Sequence, residues 1–158
     1  MKKNILLLLL MMLLAISAFA DNKEEALAFF NNYVESANNY SPAIADMYSP
    51  SAKIIRQIVK PDGTTANATT DTATYVKQMK LGQAGAKLRK YKNYYSNINV
   101  IQQNENSCKV SALRQPSGED YKLKMYMVVT KQPNGKWLIT EEMMQTKVQT
   151  LLRYADKE

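Results

Sequence analysis

The sequence predicts an α+β fold, with helices first and a mostly antiparallel sheet after them. Two observations predict it. Before about residue 90, apolar residues recur at helical spacing in the stretches 23–39 and 70–80. From Tyr91 onward they alternate with period two, in runs separated by turns rich in Asn, Gly and Pro. Helices and antiparallel strands segregated along a chain define the α+β class. At ~100–200 residues per domain, the 158 residues allow one domain.

Residues 1–20 stand apart from that pattern. Lys2 and Lys3 precede an unbroken apolar run from Ile5 to Ile16, then Ala18-Phe19-Ala20 and the polar Asp21-Asn22-Lys23. This is the basic start, apolar middle and small-residue cut of a secretory signal, with cleavage expected after Ala20. The run is shorter than the ~20 residues that span a bilayer. The reading is therefore a periplasmic or secreted protein whose mature chain, 21–158, is a single domain with no transmembrane helix.

Residues 23–39 carry Ala26, Phe29, Phe30, Tyr33, Val34 and Ala37 on one helical stripe, with Asn22 and Glu25 placed as a capping box. Ser41-Pro42 starts a short second helix with Ile44, Met47 and Tyr48 on its apolar side, and Ser49-Pro50 stops it. Lys53–Val59 is β-branched and reads as a strand. Pro61-Asp62-Gly63 is a turn, and residues 64–69 pair back. Thr70-Asp71 caps a helix expected to reach about Lys80, where Gly82 and Gly85 break it.

In the next strand, Tyr94, Ser96, Ile98, Val100 and Gln102 are expected on one face, with Tyr95, Asn97, Asn99 and Ile101 on the other. Asn104-Glu105-Asn106 turns into the Cys108–Arg114 strand. After Pro116-Ser117-Gly118, Tyr121, Leu123, Met125, Met127 and Val129 share a face. Pro133-Asn134-Gly135 leads to a last strand on which Trp137, Ile139, Glu141 and Met143 alternate inward. Thr146 to Ala155 is expected as a short helix.

Three local motifs follow one another at telling places. They are Ala28-Phe29-Phe30-Asn31-Asn32-Tyr33, then Ile44 to Ile54 through Asp46-Met47-Tyr48-Ser49-Pro50, then Asn134-Gly135-Lys136-Trp137-Leu138-Ile139. Their order resembles the NTF2-like superfamily, the cone-shaped α+β fold of ketosteroid-isomerase-like proteins, here in an exported bacterial form. The resemblance implies a half-barrel with N-terminal helices packed on a curved, mostly antiparallel sheet. It also implies a cavity between helix and sheet that hosts isomerases, dehydratases, hydrolases or plain ligand binders. Fold alone does not choose among these. Two departures count against an enzyme. Ser51 stands where many members have Asp, and the end of the last strand reads Glu141-Glu142-Met143-Met144 where pocket enzymes often carry His or Asp.

Composition narrows the chemistry further. With no His there is no imidazole base or ligand, and one Cys makes neither an internal disulfide nor a thiolate metal site. No metal or cofactor is expected. Glu141, on the expected inner face, is the one candidate base; burial would raise its pKa, and Tyr33, Tyr94 or Tyr95 would donate to an oxyanion. The plain alternative is a rim carboxylate paired with Lys. Asp46 reads as either a cavity-mouth group or a wet helix residue.

Phe30, Tyr33, Met47, Tyr48, Met125, Met127, Trp137, Glu141 and Met143 are the expected ligand-pocket residues. The methionines suit adaptable apolar contacts or ordinary core filling. Cys108 reads as a buried inert thiol or a crosslink for a homodimer.

The chain carries 21 Lys+Arg against 14 Asp+Glu, a formal charge of +7. Lys77, Lys80, Lys87, Arg89, Lys90 and Lys92 form a basic segment, and no acid occurs between Asp71 and Glu105. It is a docking surface for an anionic partner or a solvated face; export weighs against nucleic acid. The reading leans to binding over catalysis: a small apolar ligand in the cone, or a protein partner on the sheet face. The competing readings are a pocket enzyme using Glu141 with a Tyr donor and a structural subunit of an envelope or secretion assembly.

Overall fold

A computed structural model describes residues 22–157. The expected export signal lies outside these residues. The first helix, α1, occupies 22–38. Its stripe is the expected one: Ala26, Phe30 and Tyr33 are buried, with Phe29, Val34 and Ala37 packed beside them. It ends as Tyr40 turns left-handed (φ 56°) and the Ser41 N–H donates to the Ser36 carbonyl (2.9 Å). This helix-ending geometry usually falls to Gly. Two reciprocal bonds then tie the helix end to the sheet: Asn38 Nδ2 donates to the Asn93 carbonyl, and the Asn93 N–H donates to Asn38 Oδ1, each at 2.9 Å.

A 3₁₀ segment, Pro42–Met47, follows, capped by the Ser41 hydroxyl, and a second, Gln149–Tyr154, lies after the last strand where a short helix is expected. The strands are β1 (Tyr48–Val59), β2 (Thr65–Thr70), β3 (Asn93–Asn104), β4 (Ser107–Pro116), β5 (Leu123–Lys131) and β6 (Trp137–Thr146), with α2 (Thr72–Leu88) between β2 and β3. They form one sheet in the order β2-β1-β6-β5-β4-β3, antiparallel except for β1 beside β6. The sheet curves as a half-barrel around α1. Among the described residues no helix is long and apolar enough to cross a membrane.

Four expectations are corrected. β1 begins at Tyr48, so Ser49-Pro50 ends no element; the strand absorbs the proline where its register against β6 shifts between Tyr48 and Lys53. A proline is tolerated at such an irregularity because no ladder donor is needed there. α2 runs on to Leu88 through Gly82 and Gly85. Glycine inside a helix costs ~1 kcal/mol against Ala without ending it. The actual stop is Lys90, left-handed at φ 52°, with the Tyr91 N–H returning to the Ala86 carbonyl (2.9 Å).

The other two corrections are bulges. In β3 the register against β4 slips by one between Ser96 and Asn99, beside the left-handed Asn97 (φ 54°). Tyr95 and Val100 therefore both pack on the core, while Tyr94, Ile98 and Ile101 are exposed. In β6, Ile139 faces Val129 but Glu141 faces Val128, leaving Thr140 as the extra residue. Its hydroxyl donates to the Val128 carbonyl (3.3 Å) and shares a hydrogen bond with Thr130 (3.0 Å), which holds the bulge. One extra residue flips every later side chain to the opposite face.

Candidate functional site

The β6 bulge decides which acid lies inside. Trp137 and Ile139 are buried as expected, but after Thr140 the inward residues are Glu142 and Met144. Glu142 is fully buried. Its Oε1 accepts from Arg56 Nη1 of β1 at 2.8 Å. Its Oε2 accepts from the hydroxyls of Tyr48 (2.5 Å) and of Tyr33 on α1 (3.1 Å). The Arg56 guanidinium also lies over the ring of Tyr75 from α2, 4.8 Å from its centroid. One carboxylate thus joins α1, β1 and β6, and through Arg56 it reaches α2.

The electrostatics favour the charged pair. Burial works against the Arg56 charge, but Tyr75 and Glu142 outweigh it and hold its pKa above the ordinary value. Burial, then the neighbouring Glu142 charge, pushes the Tyr33 and Tyr48 phenols well above theirs. Both Glu142 oxygens accept hydrogen bonds, Oε1 a charge-assisted one from the guanidinium. A general base must also reach the proton it takes. Both Glu142 oxygens are engaged, and Tyr33 stands between them and the open space. The network is built as a tie.

That open space is a cavity of about 360 Å³ between helices and sheet. Tyr33 and Ala37 of α1, Tyr75 and Met79 of α2, Tyr95 of β3 and Met144 of β6 wall it. Exposed Arg89 and Tyr91 line its solvent end. Gln83 of α2 donates to the Tyr40 carbonyl at the same end, joining the two helices across the mouth. The volume lies in the ~300–1,000 Å³ range of small-molecule sites.

The structure brings together few of the expected pocket residues. Tyr33 lines the cavity. Phe30, Met125 and Met127 are packed in the core, and Tyr48 is buried beneath the cavity wall. Met47 and Trp137 edge a separate surface cleft with exposed Asp46. The Trp137 indole donates to Glu25 (2.8 Å), whose carboxyl is held below its ordinary pKa by Lys131 first and Trp137 second.

Glu141 and Met143 follow Thr140 onto the opposite face, a correction of the expected inward placement. Glu141 Oε1 accepts from the Tyr126 hydroxyl at 2.5 Å, and neither residue lines the cavity. Cys108 is buried and free, and burial raises its thiol pKa. Lys77, Lys80 and Lys87 are exposed on α2, and Arg89, Lys90 and Lys92 are exposed just after it. Glu142 and Met144 are missed by the period-two reading because only the bulge carries this β6 pair inward; Arg56 of β1 and Tyr75 of α2 are not among the expected pocket residues.

The architecture can now be set beside known structures. A scytalone dehydratase-like protein from Novosphingobium aromaticivorans superimposes with a TM-score of 0.63 at 15% identity, over 82% of this chain and 86% of its own. A cystatin-like-fold domain of unknown function from Nostoc punctiforme gives 0.56 at 16% identity, over 83% of each chain. The chain has the NTF2-like fold. A chain from the yeast complex of deubiquitinase Ubp3 with its cofactor Bre5 is similar too, at TM-score 0.57 and 19% identity over 77% of this chain and 93% of that one. These neighbours of the NTF2-like domain differ widely in what they are named for, so the likeness is one of fold. No family model and no curated protein matches the sequence.

Proposed function

We propose that this chain is an exported NTF2-like binding domain that holds a small, largely apolar ligand in its cone cavity and catalyses no reaction on it. The observation that carries this reading is the division of labour at the cavity floor. The one fully buried carboxylate among the described residues, Glu142, is spent on Arg56, Tyr48 and Tyr33. What remains facing the 360 Å³ space is mainly alkyl, thioether and phenol surface, with Gln83, Arg89 and Asn93 among the polar groups of its lining; the apolar part is well suited to an adaptable contact. The enzyme alternative needs Glu141 in the cavity beside a Tyr donor; Glu141 instead bonds Tyr126 on the other face.

Native mass spectrometry of protein taken from the envelope fraction tests the proposal. A bound small-molecule adduct is expected on the wild type. It should be absent from Ala37→Trp, which places an indole in the cavity. A bare mass for the wild type, or an adduct that survives Ala37→Trp, contradicts it. The same spectrum reads the oligomeric state and so checks the homodimer expectation. A mature N-terminus at Asp21 checks export.

A further inference from the structure

The strongest unexplained group in the molecule is Arg114. It is 7% exposed, on the concave side of β4, opposite Tyr95 in the β3 ladder. Its guanidinium donates only to neutral oxygens. Nη1 reaches Asn93 Oδ1 (2.8 Å) and the Tyr91 hydroxyl (3.4 Å), and Nη2 reaches the Gln145 carbonyl (2.8 Å). Its Nε is buried with no acceptor. The two ion pairs among the described residues are Arg56–Glu142 and Lys131–Glu25, so no carboxylate lies within ion-pair distance of Arg114. The acids nearest in sequence, Glu119 and Asp120, are exposed in the loop after β4.

Arg56 and Arg114 therefore make an instructive pair. Both lie on the concave side; one has its counter-ion and the other has none. A buried charge is costly unless paired, and an unmade buried hydrogen bond adds to that cost. Arg114 itself lies behind the cavity wall: Tyr91 and Asn93, which accept from it, and Tyr95, opposite it in the ladder, line the cavity, and Arg89 stands at the solvent end. The missing counter-charge has a place to come from.

We infer that the ligand is an apolar monocarboxylic acid, its carboxylate lodged at the cavity mouth against Arg89, Tyr91 and Asn93 with the Arg114 charge directly behind them, and its apolar body against Ala37, Met79 and Met144. This rests on the binding reading above and specifies its ligand. The planar fork of a guanidinium matches a carboxylate better than a point cation would. The acid-free segment from Thr72 to Asn104 leaves the mouth without a competing anion and draws an anionic ligand toward it.

Calorimetric titration with decanoate and with 1-decanol separates the two claims. Decanoate is expected to bind the wild type at least about tenfold more tightly than the alcohol, a gap of about 1.4 kcal/mol. Arg114→Gln should remove most of the preference for decanoate over the alcohol and leave the alcohol unchanged, while Arg114→Lys keeps more of the preference. Arg89→Gln, an exposed site safe for folding, should cut decanoate affinity alone by a smaller factor. Equal wild-type affinity for acid and alcohol overturns the acid-head inference and leaves the cavity reading standing. Failure of both ligands to bind overturns both.

Discussion

Glu141 and Glu142 are adjacent, and each accepts a tyrosine hydroxyl at 2.5 Å, yet they do different work. Glu142 is sealed in the core with a guanidinium and two phenols. Glu141 sits half-exposed on the other face with Tyr126, whose ring also lies under Lys109 at 3.9 Å. The difference arises from one extra residue, Thr140, and from what water does to a charge on either side of a sheet. A carboxylate that water can reach loses little when a partner leaves. A carboxylate that water cannot reach leaves its partner stranded.

Mutations at the two sites should therefore diverge. The largest effect is expected at Glu142→Gln, which strands the Arg56 charge; breaking a buried pair from one side costs ~3–5 kcal/mol, read by urea denaturation. Tyr33→Phe and Tyr48→Phe each remove one bond to that charged group, an expected loss of ~1.5–3 kcal/mol, with Tyr48→Phe the larger because its bond is shorter. Thr140→Val removes the hydroxyl that pins the bulge and should cost ~0.5–1.5 kcal/mol. Glu141→Gln should change stability by no more than ~0.5 kcal/mol. If Glu141→Gln is the costlier of the two glutamate changes, the bulge is placed wrongly.

The outer pair has a signature of its own. Burial first, then the hydrogen bond from Glu141, pushes the Tyr126 phenol up from 10.0 to about 12. A phenol with a raised folded-state pKa stabilises the fold fully below its unfolded value. That contribution is lost as pH rises through the folded value. Stability should therefore fall between about pH 10 and pH 12, followed by circular dichroism. In Glu141→Gln the Tyr126 transition, read by ultraviolet titration, should move down toward 10.0.

The sheet and α1 were legible in the sequence for physical reasons. Phe30 and Tyr33 sit one helical turn apart and can only bury together. Gly63 and Gly135 take φ of 84° and 81°, the positive values that their Pro-Asp-Gly and Pro-Asn-Gly turns require. On β5, which has no bulge before Val128, the alternation of Leu123, Met125 and Met127 is right residue by residue. It fails only beyond a bulge. Up to Ile139 the inward residues of β6 are correct and from Glu141 they are all reversed; β3 reverses in the same way at Asn97. Nothing local announces Thr140 as the extra residue, since its hydroxyl partners, Val128 and Thr130, come from the neighbouring strand. The cavity depends on the same hidden information, because Met144 faces it only after the β6 slip. The length of α2 was obscured differently: glycine lowers helix propensity, but the stop is made by Lys90.

The central claim is that Glu142 is a structural tie and that the binding chamber lies above it. The decanoate affinity of folded Glu142→Gln tests this most directly, measured under conditions where circular dichroism matches the wild type. The account predicts an affinity within about threefold of wild type despite the large loss of stability. A loss of tenfold or more, about 1.4 kcal/mol, with the fold intact would place Glu142 in the site itself and contradict the account.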